Sequence, residues 1–454
     1  MRDLVVFLLL LVCLYVIFWR PWMGVLALAV FSYMNPHCYC WGPMFAFPTY
    51  QLLFLSMAAA FLTERAKQDM QPIPKDWRVA VFYLLWFWYL ITTIDSEIPS
   101  AAWGRLILIS KIYLPLIFTL IYITDKERLR YLIMTIAASF GLLAIKGGVF
   151  AITHGFGDRI YGPRGSQFYD NNQFAIAILM NIPLLVLWLR DEKNKFIKLA
   201  LMAAVPLSFA SSLSSWSRGA LLTSVMLTFV LLWHSKRKYL VAPLLALGVF
   251  VVLPLLPQEW YDRMYTIETY QEDGSAMGRI RAWADAWEYL KTNPLTGAGF
   301  EGWRYVTERD WHNSYVEMAA EHGYVGFLLW FSLIFGTIIT LTRLARLGRS
   351  RPDLKWVTNY STMIRASMFA YATGTLFLGL AYWDIVYHLI FITLLLHRFA
   401  HQEAAVPLTA EPPPERTATA GGRPPSSQDL PEPEGKTKQR GFGIANIPGS
   451  NPTR

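Results

Sequence analysis

Hydrophobic residues gather into thirteen runs of spanning or near-spanning length, at 4–18, 22–35, 50–63, 79–95, 106–124, 130–152, 173–189, 196–213, 219–233, 239–256, 324–342, 362–380 and 384–399. A bilayer core takes about 20 apolar residues of helix, so the pattern predicts an all-α polytopic membrane protein. The first two runs are short and predict either a tight hairpin or one broken span, which gives about 12 crossings. Polar stretches between runs are brief except at 256–323, predicted as one large helical loop. From Gln402 the apolar period disappears into stretches such as Glu411-Pro412-Pro413-Pro414-Glu415, which predict a disordered tail because too little apolar surface is available to offset ordering. The chain thus reads as N-terminal spans (1–255), a loop domain (256–323), C-terminal spans (324–401) and a tail (402–454).

Composition agrees: of 454 residues, 54% are hydrophobic and 16% charged, against about 25% charged in soluble domains. The net charge of +9 raises nucleic acid as a partner, but the basic residues flank apolar runs instead of forming one face, which excludes that reading. Membrane lipids are the partners such a pattern requires. Lys and Arg cluster at Arg65–Arg78, Lys126–Arg130, Arg190–Lys198, Lys236–Lys238 and Arg343–Lys355. The positive-inside bias makes these turns and the tail cytoplasmic and puts 96–105, 154–172, 214–218, 256–323 and 381–383 outside. From Leu256 to Glu321, six basic residues face twelve acidic ones, a net of −6 with histidine neutral, so an arginine that binds an anion there must do so by position. Cys13, Cys38 and Cys40 make no disulfide framework and read as packing residues. The first run has no small-residue cleavage site behind it, so it reads as retained.

The chemistry concentrates on the expected outer side. Met277 to Lys291 reads as a helix with an apolar stripe of Ile280, Trp283, Trp287 and Leu290. Arg279 stands at the edge of that stripe and points toward the protein, whereas Arg281 lines up with Asp285 for an i,i+4 pair. Gly297-Ala298-Gly299 is a turn that can expose backbone N–H groups. Ser314 and Glu317 suggest a capping box and Gly323 a stop, so a short helix is expected from about Tyr315 to His322. His312 then stands just ahead of a helix N-terminus, suited either to accept a proton as neutral imidazole or simply to hydrogen-bond the helix entry. His322 reads as a cap on C-terminal carbonyls. Ser217 can cap the next span, which puts Arg218 in a first helical turn, where it either meets a bound anion or snorkels to lipid phosphates. Arg159 and Arg164 lie in another outer loop, which ends in Asp170-Asn171-Asn172. No spacing matches a metal site and no phosphate-binding Gly-Lys loop is present; the reading includes no metal, cofactor or nucleotide, so the energy must reside in the substrate.

Gly278-Arg279 with Trp283, then Asn293-Pro294-Leu295-Thr296-Gly297-Ala298-Gly299, then His312-Asn313-Ser314-Tyr315 and Glu321 to Gly326, resembles the signature loop of the O-antigen ligase and O-antigen polymerase superfamily. Ser217-Arg218-Gly219-Ala220 resembles the arginine motif the family carries ahead of a span. The N-terminal half and Asp170-Asn171-Asn172 look most like the branch described as exosortase-associated O-glycosylation ligases. The resemblance implies a GT-C-like, metal-independent glycosyltransferase of the bacterial inner membrane with its site facing the periplasm. Its donor would be a glycan on undecaprenyl diphosphate and its acceptor a sugar hydroxyl of lipid A-core. His312 would be the base, Arg218 and Arg279 would hold the diphosphate, and Arg164, Arg281, Asn313 and Asn172 would be further substrate contacts. A polymerase or a protein O-glycosylating ligase would share the donor; a transporter or flippase would line its mid-membrane path with polar groups instead.

Overall fold

Each of the thirteen apolar runs contains a helix in the computed structural model, which describes residues 1–235, 237–265, 271 and 274–405. Lys236 of one basic cluster and nearly all of the expected tail lie outside the described residues. The chain runs through α1 (Arg2–Trp19), α2 (Pro21–Tyr33), α3 (Thr49–Phe61), α4 (Glu64–Gln68), α5 (Trp77–Ile94), α6 (Pro99–Tyr122), α7 (Lys126–Thr153), α8 (Asn171–Asp191) and α9 (Lys195–Leu213). It continues through α10 (Arg218–Trp233), α11 (Lys238–Val252), α12 (Gln258–Tyr265), α13 (Gly274–Thr292), α14 (Trp303–Val306), α15 (Ser314–Ser350), α16 (Lys355–Gly374) and α17 (Asp384–Ala404). No strand occurs among the described residues, as expected where lipid leaves backbone groups no partner but their own helix.

Eight described helices are long and apolar enough to cross a membrane: α1, α5, α6, α7, α8, α9, α15 and Lys238–Leu255, which extends α11; α2, α3 and α10 are shorter apolar helices. Of the two readings of the N-terminus, the hairpin is the one formed. Arg20 alone separates α1 from α2, and Asp3 at the start of α1 accepts from the backbone N–H of Gly42 and Met44 beyond the end of α2. α16 and α17 reach 20 and 21 residues but are more polar. They need no lipid-compatible surface, since every residue of α17 from Asp384 to Leu396 is buried in the protein. α6, α7, α15 and α16 pack against it.

The two ends of the bundle differ in chemistry. At one, Arg128 pairs with Asp69 at 2.7 Å, Lys126 lies over Trp356, Arg351 donates to the Ala404 carbonyl and Arg398 to that of Pro72. At the other meet the segments grouped as outer from sequence: Glu97 N–H donates to Ala298, Ile160 N–H to Ser214, Asn171 to Ser215 and Ser314 N–H to Thr375. Two expected boundaries change. α6 starts at Pro99, so most of 96–105 is helix, because proline is well suited to a first turn. The run 362–380 stops being helix at Gly374, and 375–383 folds over the chemical end of the bundle.

α15 is broken at Gly323, whose φ of +65° and ψ of −175° lie in a region essentially reserved for glycine. The expected stop is therefore formed, and Ser314–His322 departs from the axis of the span that follows. A Cβ at Gly323 would lie 1.9 Å from the Leu295 carbonyl oxygen. Strain of this kind costs on the order of 1–3 kcal/mol before any clash is counted. Gly323→Ala is therefore expected to lower the thermal unfolding midpoint of the detergent-purified protein by several degrees; an unchanged midpoint would show that the break tolerates a side chain.

Candidate active site

His312 is placed by the start of α15. Asn313 caps that helix, its side-chain oxygen accepting from Tyr315 N–H (2.9 Å) and Val316 N–H (3.3 Å). This corrects the expected Ser314–Glu317 box. Ser314 is already helical, and its hydroxyl instead donates to the Leu378 carbonyl (3.0 Å) and accepts from Leu380 N–H (2.7 Å). The Glu317 carboxylate turns to Ala381 N–H. The swap ties the helix carrying the motif to the 375–383 segment.

The residue before the cap, His312, has a φ of +46°, a left-handed conformation uncommon for a residue with a Cβ. Asp310 stabilises it, accepting from the His312 backbone N–H at 3.1 Å while its other oxygen stands 3.5 Å from Nδ1. Asp310 thus orients the imidazole, a role that the amino-acid pattern alone leaves unassigned. The His312 side chain keeps 44% of its surface and is open to a substrate. Burial pushes its pKa below the ordinary value, Asp310 pulls it up, Arg279 pushes it down and Asp170 pulls it up, with a net lowering. The ring is therefore neutral, and able to accept a proton, over the whole range above that lowered value.

Arg279 reaches the histidine because of how α13 docks. Ala282 and Ala286 are buried against Trp311 and Ala320, with Trp283 packed beside them, and the Trp283 indole N–H donates to the Trp311 carbonyl at 2.7 Å. Of the expected stripe, Trp283 is packed and Leu290 buried, while Ile280 and Trp287 are exposed. The two alanines let the helix backbone approach Trp311 closely. Arg279 lies one turn ahead of Ala282 and Trp283 on the docked face, within electrostatic reach of His312. Arg281 is exposed, and no Arg281–Asp285 pair forms among the described residues.

Arg218 opens α10, with Ser217 as its cap accepting from Ala220 N–H at 3.2 Å, as expected. The turn before it is knitted to 156–172: Trp216 donates to the Phe156 carbonyl (3.1 Å), Asn171 to that of Ser215 (2.6 Å), and Arg159 stacks over the Trp216 ring. Asp170, the neighbour of Asn171, is the same residue that acts on His312. On the other side, Gly219 packs against Phe377, in the segment that grips Ser314. Two paths of contact therefore join Arg218 to His312. Asn172 bonds to Asp170 and Asn171 at the start of α8; like Asn313, it helps to build a helix start. Arg164 is exposed in a turn closed by Ser166 N–H on the Pro163 carbonyl.

Gly297-Ala298-Gly299 does not present free N–H groups. Those of Ala298 and Gly299 donate to the Ala320 and Glu321 carbonyls, both at 2.8 Å, so the turn serves to hold α15. Glu321 is the hub of that contact: one carboxylate oxygen accepts from Glu301 N–H at 2.9 Å and the other from the Tyr382 hydroxyl. His322 does not cap carbonyls. Fully buried, it pairs Nδ1 with the Thr92 hydroxyl (2.7 Å) and Nε2 with that of Tyr382 (2.8 Å). Arg105 covers the Tyr382 ring and stands 3.9 Å from Glu301. The i,i+4 spacing of Glu317 and Glu321 was the available signal for one buried acidic face. Among the described residues no group of three or more His, Cys, Asp and Glu side chains is gathered as a metal site would need.

A bundle of apolar helices carrying an oriented histidine and arginines at one end defines an all-α polytopic membrane protein with a polar site at one end of its helices. Residues 203–331, which include Arg218, Arg279 and His312, match the family described as O-Antigen ligase, whose members are glycosyltransferase-like ligases and polymerases. Residues 1–194 match a Family of unknown function (DUF5935). No curated protein matches the chain.

The electrostatics predict opposite responses from two neighbours of His312. Removing the carboxylate in Asp310→Asn should lower the His312 pKa further, and removing the cation in Arg279→Gln should raise it. Histidine NMR titration, with the His312 signal assigned by its loss in His312→Asn, reads both; shifts of the same sign would disprove the arrangement.

Proposed function

We propose that the protein is an O-antigen ligase, transferring a glycan from undecaprenyl diphosphate to a sugar hydroxyl of lipid A-core on the periplasmic side of the inner membrane. The observation that carries this reading is the accessible imidazole of His312, turned by Asp310 and set beside Arg279, inside the segment that matches the ligase family. With Nδ1 toward Asp310, Nε2 takes the proton of the acceptor hydroxyl. The acceptor oxygen bonds to the anomeric carbon, the bond from that carbon to the diphosphate oxygen breaks, and its electron pair leaves with the diphosphate. Arg218 and Arg279 bind the departing charge, the task for which bidentate guanidinium groups suit phosphate. No metal or cofactor enters this scheme, and Arg164, Arg281 and Asn172 serve as secondary contacts to glycan or carrier.

A protonated His312 cannot act as base, so the rate should fall as pH drops through its lowered pKa, and fall at lower pH than for an ordinary histidine. His312→Ala should lose about 10²- to 10⁴-fold in rate, the usual contribution of a positioned base. His312→Asn is the sharper variant, because asparagine tolerates the left-handed backbone and can hydrogen-bond but cannot accept the proton. The assay is transfer from undecaprenyl-diphosphate glycan to purified core by the reconstituted protein without divalent cation. Wild-type transfer by folded His312→Asn would refute the base, and joining of one donor glycan to another in place of core would identify a polymerase.

Orientation is tested separately by labelling single cysteines in a background lacking Cys13, Cys38 and Cys40. A membrane-impermeant maleimide should modify Glu308→Cys in intact spheroplasts and Ser350→Cys only after lysis. The reverse would put the site in the cytoplasm and end this reading.

A further inference from the structure

At the basic end of the bundle, arginines of α8, α15 and α16 gather in a cluster that glycan transfer does not use. α10 has 16 residues, about 24 Å of helix at 1.5 Å per residue, against a hydrocarbon core of about 30 Å. Starting at Arg218, beside the transfer site, it ends at His234 before it can clear the opposite face. Arg365, ten residues into α16, meets it there. It donates through one terminal nitrogen to the Thr342 hydroxyl (2.9 Å) and through the other to His234 Nε2 (2.8 Å), while Nε is buried without a partner. His234 Nδ1 lies 2.7 Å from the Val230 carbonyl. An imidazole that donates there and accepts from a guanidinium is neutral, so it orients Arg365 without adding charge.

Three more arginines lie near this pair. Arg346 and Arg349 of α15 are within electrostatic reach of Arg365, and Arg349 and Arg190 within reach of His234. Asp191 stands near Arg190 and Tyr360, and Arg130 near Tyr360 and Glu192, so arginines outnumber carboxylates at this end. Like charges drawn together repel, and an anion relieves the repulsion. Arg190, Arg346 and Arg349 are exposed at the end of the apolar helices, the level at which the phosphates of a surrounding bilayer lie.

We propose that Arg190, Arg346, Arg349 and Arg365 form a binding site for the phosphodiester headgroup of an anionic membrane lipid, with Arg365 as its floor. Basic pockets between helix ends are a recurring mode of such recognition. The site is separate from the transfer site and does not depend on the proposed activity.

The test measures binding with neither glycan donor nor acceptor present. Full-length protein in neutral detergent is titrated with dioleoyl phosphatidylglycerol or dioleoyl phosphatidylcholine, and the thermal midpoint is read as a ligand-linked shift. Phosphatidylglycerol should raise the midpoint and phosphatidylcholine should not, and R346Q/R349Q should weaken the phosphatidylglycerol response at least about tenfold in apparent affinity, on the scale of roughly 1.4 kcal/mol per decade. R365Q also breaks the Thr342 and His234 bonds, so the decisive protein is the double variant, whose substituted side chains are exposed. Equal responses to the two lipids, or an unchanged double variant, would overturn the site. Inorganic phosphate alone reproducing the full shift would overturn the lipid and assign a soluble anion.

Discussion

The chemical end of this protein depends on a backbone that refuses to remain helical. An apolar helix gains by continuing, because each further turn pairs its own N–H and carbonyl groups. At Gly323 that gain is given up, and the freed groups are paired in another way: Tyr324 N–H bonds to the Pro294 carbonyl, while the Ala320 and Glu321 carbonyls receive Ala298 and Gly299. The break thus creates a docking edge for the 294–299 turn. That edge fixes α13, which brings Arg279, and the short helix Ser314–His322, which brings His312. A span without the break would carry the same residues along its own axis, away from the turns that hold their partners.

Charge at this end is arranged by burial depth. Glu317 and Glu321 lie inside, where backbone N–H groups and the Tyr382 hydroxyl occupy their oxygens. Acids at the rim, Asp310 and Asp170, act on His312 directly. The carboxylates nearest the site are thus already engaged, the inner pair by N–H and hydroxyl groups and Asp310 and Asp170 by the histidine. Net charge therefore says little about what the site attracts.

Much of the fold could be read from the amino acids, since the bilayer leaves helix as the solution for long apolar runs, and every predicted run contains a helix. Boundaries were less accessible where a run contained its own reason to stop, as at Gly374, or where a helix could begin earlier on proline, as at Pro99. Within the site, Ser217 as a cap and the inward direction of Arg279 followed from local rules. The docked stripe of α13 did not, because hydrophobicity favours Ile280 and Trp287 while packing distance selects Ala282 and Ala286. Asp310 stood two residues from His312 but was unreadable as its partner without the left-handed turn that folds one onto the other. Glu321 and His322 were obscured for a different reason: their partners, Thr92, Glu301 and Tyr382, are scattered through the chain, and no local pattern carries a contact of that range.

The burial of α17 bears on how the chain reaches its folded state. A helix that contains Asp384 and His388 and shows almost no surface to lipid draws little of its membrane affinity from partitioning on its own. Its polar groups find hydrogen bonds on residues made much earlier, Ser32, Tyr33 and Thr119, so the slot it fills is defined before it is synthesised. Insertion of the last helix is in this sense a binding event between a chain and its own unfinished bundle, and a ribosome that stopped at Gly374 would leave a membrane protein with an open seam down its middle.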